Sequence, residues 1–312
     1  LLKTNDLSFV SDHFDLLKTR AHGIHDSRTG PGGIMAETTI DTWGSWTMGN
    51  WNALLGLLSY RYICDRLGNT AESEWATAEY NSLLAACNAK MYETISKNGL
   101  DYIPADILEP NTRNRMNDPT DANWAVHLFN GRWPWEGYLF DANQEGIMLD
   151  YIDNTYDYGF RRLLGILPEH NFGGFPGYSS AYNASYGSAG LVGENYRSEG
   201  IYAFDFMINY TQSGPNSWWE GQLYPRTDFD WPGEHPSRGT GSAPHMWGQI
   251  TANKMLIDSI ISQKFDGTLI VGRGIPVEWL EEDMVTEISN YPIGPDKRVG
   301  VKIEGLGNNK VK

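Results

Sequence analysis

Four segments of the chain place carboxylates beside indoles. They are Thr39-Ile40-Asp41-Thr42-Trp43-Gly44-Ser45-Trp46, Asp118-Pro119-Thr120-Asp121-Ala122-Asn123-Trp124, Gly131-Arg132-Trp133-Pro134-Trp135-Glu136-Gly137-Tyr138 and Ser217-Trp218-Trp219-Glu220-Gly221-Gln222. An indole face suits the C–H face of a sugar ring, while the sugar hydroxyls go to neighbouring carboxylates and amides. Glycoside cleavage needs two carboxyl groups across the scissile bond, one protonated to donate and one ionised to activate water or attack. A carboxyl packed on tryptophan has its charged form disfavoured by desolvation, which suits it to be the acid. By this logic Glu220, directly after Trp218 and Trp219, is the first candidate for a catalytic carboxyl, and Asp121 is the second. Asp41, Trp43, Trp46, Trp124, Trp135, Glu136, Trp218, Trp219 and His245 are the candidate substrate contacts. Each has a plainer alternative. Glu220 can open a loop turn between core tryptophans, Asp121 can cap a short helix, and His245 can be a satisfied residue at a helix start. Glu199 in Tyr196-Arg197-Ser198-Glu199-Gly200 reads as a helical residue that pairs with Arg197 or stays structural.

Other chemistries fit the motifs less well. The segment Arg238-Gly239-Thr240-Gly241-Ser242-Ala243-Pro244-His245-Met246-Trp247-Gly248 has a Gly-rich start but lacks the Gly-Lys-Ser/Thr ending of a phosphate loop. It reads better as a loop capped by Ser242, with Pro244 in the first helical turn and His245 and Trp247 at the helix mouth. The run Asp228-Phe229-Asp230-Trp231-Pro232-Gly233-Glu234 has carboxylates for calcium, but its spacing matches no EF-hand loop. His22 and His25 are the closest histidine pair and have no third ligand beside them in sequence. Gly-x-Ser-x-Gly, the nucleophile elbow of serine hydrolases, is absent. The expectation is therefore no metal and no cofactor.

Composition narrows the partners. With 24 Lys plus Arg against 39 Asp plus Glu, the formal charge is −15. A field of that sign repels phosphate, and no basic run overrides it locally, which argues against nucleic acid and an anionic membrane surface. At 40% hydrophobic and 20% charged residues the chain can bury a core, and its 12 Trp, 17 Tyr and 11 Phe concentrate partly in polar, Gly-rich segments. No apolar stretch is long enough for a membrane span. The chain opens Leu1-Leu2-Lys3 without methionine or a visible signal peptide, and this start reads as an internal cut. The expected setting is extracellular or at the cell surface. Cys64 and Cys87 fall on two consecutive helical patterns, about 12 residues out of level, or roughly 18 Å along the axis. That offset is too large for a disulfide, so both are expected as buried free thiols.

Helical periodicity positions the acid and aromatic segments. The cleanest helix spans 50–67, with Trp51, Leu54, Leu55, Leu58, Tyr62 and Ile63 at spacings of three and four and Gly68 as its stop. A second runs over 71–95 and makes a hairpin with it. Further helices fit 7–20, 146–165, 187–212 and 244–263, with a short one after Asp121. Between them lie the long loops 21–49, 96–120, 130–145, 166–186 and 213–243, and long ordered loops in a compact domain usually carry function. After residue 265 the pattern changes to short strands at 268–271 and 299–303, flanking Ile275–Leu280. The expected domains are a mainly α unit over 1–265 and, over 266–312, a short β appendage or the start of a truncated β domain.

Helical hairpins joined by acidic and aromatic loops, with Trp43-Gly44-Ser45-Trp46 leading into Trp51-Asn52-Ala53-Leu54-Leu55-Gly56-Leu57-Leu58-Ser59-Tyr60-Arg61-Tyr62, resemble the (α/α) toroid of the six-hairpin glycosidases. That superfamily includes glucoamylase-like, maltose-phosphorylase-like and rhamnosidase-like enzymes. The resemblance covers residues 7 to 265, in architecture and local flavour rather than in a catalytic signature, and it implies more helices than the periodicity supplies. It implies an inverting glycoside hydrolase working through a carboxyl pair, onto which Glu220 and Asp121, with Asp41 and Glu136 behind them, can be carried. One alternative is a polysaccharide lyase on a similar toroid, with Asn123, Arg132, Tyr138 and His245 as its groups. Another is a glycan-binding surface protein without catalysis. A phosphorylase lacks a basic, Gly/Ser-lined phosphate pocket.

Overall fold

The computed structural model describes residues 1, 4, 6–40, 42–109, 150–155, 157–158, 190–191, 196–201, 212–215, 217–224, 238–240, 242–263, 267–308 and 310–312. Two compact units divide the chain, one of Leu1–Asp118, Gly137–Asp157 and Pro292–Arg298, the other of Pro119–Glu136, Tyr158–Tyr291 and Val299–Lys312.

The first unit is built on a helical hairpin. Helices α1 (Leu7–Asp12) and α2 (Phe14–Asp26) precede a two-stranded antiparallel ribbon of β1 (Thr38–Ile40) and β2 (Thr42–Gly44), and then the long helices α3 (Thr47–Leu67) and α4 (Thr70–Asn98). The expected helix over 7–20 is thus two helices that break at His13 and extend to Asp26. Asp6 caps the first by accepting from the Phe9 N–H at 3.1 Å. On α3 the buried residues Trp51, Leu54, Leu57, Leu58 and Cys64 recur at helical spacing, and on α4 Ala76, Tyr80, Leu83, Leu84, Cys87, Met91 and Ile95 do the same. The two stripes face each other and form the core. Both cysteines are free and buried. Burial pushes both thiols up, that of Cys87 to about 12.

The hairpin turn is set by two residues. Gly68 takes the left-handed conformation at φ 71°, and the N–H groups of Gly68 and Asn69 close on Asp65 and Cys64 carbonyls at 3.2 and 2.9 Å. Only glycine adopts that φ without strain from a Cβ. Asn69 then caps α4 by accepting from the Glu72 N–H at 3.3 Å. At the far end, residues 103–107 lie against the α3 start. Thr47 N–H donates to Ala105 and Ile107 N–H to Ser45. Thr155, in the helical residues 152–155, accepts from the Ile103 N–H at 2.8 Å.

Among its described residues the second unit carries small antiparallel ribbons and a fifteen-residue helix. Strand β3 (Gln212–Gly214) pairs with β4 (Ser217–Trp218), and β5 (Gly221–Tyr224) with β6 (Arg238–Thr240). Helix α5 (Met246–Ile260) runs directly into β7 (Ile261–Gln263), which pairs with β8 (Leu269–Val271). The predicted helix over 244–263 therefore starts two residues later and ends three residues earlier. After the last helical residue Ile260, the β-branched Ile261 turns extended where a strand partner is available. Leu191, Trp218, Ala252 and Met255 form the local core. Residue 212, expected at a helix end, is instead the start of β3. Helical conformation is seen at 190–191 and 197–201, and at 150, 152–155 and 157–158 within the expected 146–165 helix.

A hairpin of β9 (Val285–Gly294) and β10 (Lys297–Glu304) follows a 3-10 turn at Val277–Leu280. Strand β10 contains the predicted 299–303 strand, whereas β9 has no clean alternation in sequence. Its run is interrupted by Asn290 at φ 58° and by Pro292. No helix among the described residues is long and apolar enough to cross a membrane.

Candidate functional site

In the second unit the backbone brings three of the sequence-predicted residues together. The extended residues Ser217 and Trp218 lie against the segment that leads into α5. The His245 N–H donates to the Trp218 carbonyl at 2.9 Å, and the Glu220 N–H donates to the Ser242 carbonyl at 2.9 Å. The Ser242 N–H returns to the Glu220 carboxylate Oε2 at 3.4 Å. This closed set of bonds seats a carboxylate and an imidazole at the mouth of one helix. Trp218 is 4% exposed and belongs to the core, Trp219 is half-buried, and Glu220 is exposed. The Glu220 carboxylate is thus engaged with a backbone donor at the surface, not sealed behind the indoles.

His245, not Ser242, caps α5. Its Nδ1 accepts from the Gly248 N–H at 3.2 Å. Ser242 instead serves as the partner of Glu220, a role that its position three residues upstream does not announce. The Trp247 ring lies 6.0 Å from the His245 ring, tilted by 57°, and the Trp247 side chain is 42% exposed. An exposed indole and an imidazole therefore share the helix mouth, with the Glu220 carboxylate bonded to Ser242 three residues upstream, and they offer a stacking face and a polar group for hydroxyls.

The first unit holds the other described candidates. Trp43 stands on β2 opposite Thr39 and is 69% exposed, so its indole is open to a ligand. Trp46 is 2% exposed, and its Nε1–H donates to the Thr38 carbonyl at 3.1 Å, so its ring packs inside. Asp106, buried at 4%, gathers this corner by accepting from Ser45, Leu108 and Glu109 N–H groups. Gly44 is required there because a Cβ would meet the Trp46 ring and the Asp106 carboxylate. Asp41, Asp121, Trp124, Trp135 and Glu136 lie outside the described residues, as do Asn123, Arg132, Tyr138 and the run 228–234.

Two ion clusters had no motif in the sequence. Glu72 on α4 accepts from Lys18 at 2.7 Å, from His22 at 2.9 Å and from the Tyr60 hydroxyl at 2.8 Å. The Lys18 ammonium chiefly holds its carboxyl down to about 2, against burial, with His22 and Tyr60 adding to the effect. One repeat further along the helix, Glu79 binds Arg28 and His25, the latter at 3.0 Å. Burial raises the Glu79 carboxyl, but Arg28 and His25 together outweigh it and hold it below the usual range. His22 stacks flat on Trp75, with centroids 3.7 Å apart and planes at 10°. These contacts dock α2 on α4. The signal for them was a matched seven-residue spacing, Lys18 and His25 on one helix with Glu72 and Glu79 on another. Arg197 donates to the Arg273 carbonyl and, at 2.8 Å, to the Ile275 carbonyl, in place of the expected Glu199 partner. Among the described residues no group of three His, Cys, Asp or Glu is placed to hold a metal ion.

No protein-family model, no curated protein and no solved structure matches the chain.

Proposed function

We propose that the chain is a glycoside hydrolase acting on an oligo- or polysaccharide through a carboxyl pair, with inversion, on an α/α toroid-type scaffold. Glu220 is one carboxyl and Asp121 the other. The observation that supports this reading is the hydrogen-bonded closure of Glu220 and Ser242, which fixes a carboxylate on the segment that leads, three residues on, to His245 and the exposed Trp247. A preorganised carboxylate next to an indole platform is what recognition of a sugar at its reacting bond requires.

The test is hydrolysis of a glycan panel by the wild-type chain and by Glu220→Gln and Asp121→Asn. Loss of a general acid or base lowers kcat by about a hundred- to ten-thousand-fold. An unchanged rate in either variant removes that residue from the mechanism. Inversion further requires the two carboxyl groups to stand about 6.5–9.5 Å apart.

One observation favours a second reading, glycan binding without catalysis. Glu220 is exposed and its Oε2 is already bonded to a backbone N–H. In that case Glu220→Gln keeps an acceptor for Ser242, leaves glycan affinity intact and has no activity to remove.

A further inference from the structure

In the second unit two backbone segments enclose a groove. The 3-10 turn at Val277–Leu280 runs into Glu281 and Glu282, and the segment that follows β10 is tied to it by two bonds. The Asp283 N–H donates to the Gly305 carbonyl at 3.2 Å, and the Gly305 N–H donates to the Met284 carbonyl at 2.9 Å. A turn from Leu306 to Lys310 closes the other wall, with the Leu306 N–H on the Lys310 carbonyl at 2.9 Å. The groove has a volume of about 300 Å³ and is lined by the aliphatic side chains of Val277, Leu280 and Val311 and by Glu281, Glu282 and Gly307. Glu282 reaches over Gly307, its Oε2 standing 3.5 Å from where a Cβ of residue 307 would be. Val277 and Val311 are 64% and 51% exposed, so the aliphatic wall is open to an occupant.

The carboxylates of Glu281 and Glu282 are exposed and have no hydrogen-bond or ion-pair partner among the described residues. Lys302 and Lys312, on the returning segment, are both held by Glu304. An aliphatic wall thus stands beside uncompensated negative charge, in a chain whose formal charge of −15 draws cations. That pairing selects among occupants. An anion is repelled. A sugar ring meets no aromatic face among the described lining residues. A metal ion has no group of three ligating side chains among the described residues, and it gains nothing from an aliphatic wall. An alkylammonium satisfies both halves, its stem lying on apolar surface while its charged head stays in water beside the carboxylates. A protein partner presenting a lysine would need about 20–30 residues a side, whereas only a handful line this groove. We propose that the groove binds a free, unbranched aliphatic amine, with the stem along Val277, Leu280 and Val311 and the ammonium at Glu281 and Glu282. The site is separate from the glycan reading and stands or falls without it. A half-buried methylene is worth about a factor of two in affinity, so n-butylamine is expected to bind about fourfold more tightly than ethylamine.

The experiment follows the valine and leucine methyl resonances of the full chain during titration with ethylamine, n-butylamine, 1-butanol and butyrate at neutral pH and constant ionic strength. The proposal predicts saturable shifts at Val277, Leu280 and Val311 with butylamine, weaker binding of ethylamine and butanol, and none of butyrate. In Glu281→Gln/Glu282→Gln the advantage of butylamine over butanol is lost while butanol binds as before. Both positions are exposed, so the variant keeps its fold. Butanol binding as tightly as butylamine in wild type, or an advantage that survives the double variant, overturns the proposal. Shifts that do not saturate, or that spread evenly over the valines and leucines, also overturn it, because they mark cations gathering on an acidic surface. Calcium ions that move the same methyls and displace butylamine at lower concentration reassign the carboxylates to a metal. Nα-acetyl-lysine methylamide binding more tightly than butylamine overturns the free amine in favour of a protein side chain.

Discussion

Glu72 offers the sharpest test of how the first unit is held together, because its three partners differ in what they lose when it goes. Lys18 and His22 have side chains 47% and 38% exposed and return to water at little expense. Tyr60 is 3% exposed, and its hydroxyl has Glu72 as its acceptor at 2.8 Å. Glu72→Ala leaves that buried hydroxyl with only the Cys64 sulfur, a weak acceptor, which costs about 1–3 kcal/mol. Glu72→Gln keeps an acceptor for Tyr60 and loses the charge that Lys18 and His22 engage, so it is expected to cost less than Glu72→Ala. Tyr60→Phe alone removes one ordinary bond, about 1 kcal/mol. In the double variant Tyr60→Phe/Glu72→Ala the orphaned hydroxyl is gone, so its loss should be no greater than that of Glu72→Ala. Urea unfolding followed by circular dichroism measures the cycle. A double variant whose loss equals or exceeds the two single losses added together refutes the reasoning. The pH arm has a definite sign. The folded Glu72 carboxyl lies at about 2, below its ordinary 4.5, so its contribution is present above pH 4.5 and is lost as pH falls toward 2. The gap between wild type and Glu72→Gln should therefore close over that window.

Leu83, buried in the α3–α4 seam, should cost about 2–5 kcal/mol as Leu83→Ala, read as a lowered urea midpoint. Gly68→Ala should destabilise by about 1 kcal/mol because of its φ of 71°. Gly23→Ala, in α2 with open space where its Cβ would go, should instead stabilise by about 0.4–1 kcal/mol, and thermal melts of the two separate the signs. Both thiols should resist a disulfide reagent at pH 8 in the native chain and react fully in urea, since burial pushes both up. Rapid native labelling of Cys87 would contradict its packing.

The parts of the fold that were legible in sequence are those governed by local rules. The α3–α4 hairpin follows from apolar spacing plus a Gly68-Asn69 stop, and it appears with boundaries shifted by at most a few residues. The free, buried state of Cys64 and Cys87 follows from helix rise alone. What escaped depends on long-range pairing. The ribbons β1–β2, β3–β4 and β5–β6 are two to four residues per strand, too short for a period of two to register. Ile261 left its helix because β8 was there to pair with, a partner the local pattern does not contain. The candidate site divides in the same way. Glu220 and His245 were picked by residue type and local order, but their link through Ser242 joins segments 22 residues apart. Trp43 and Trp46 looked equivalent in sequence, and only packing separates the open indole from the enclosed one.

The cap that His245 makes on α5 has a chemical corollary. A backbone N–H can only donate, so the Nδ1 that receives Gly248 must carry a lone pair and no proton. While that bond stands, the ring is the neutral tautomer with its hydrogen on Nε2. The face left for a ligand is then a donor, fit to hold a hydroxyl or ring oxygen and unfit to abstract a proton. A role for His245 as the base of an elimination would first require giving up the helix cap, because a second proton on the ring would turn Nδ1 from host to competitor of Gly248. The imidazole is committed by the helix it starts, and the helix, in turn, reports whether the imidazole has gained a charge.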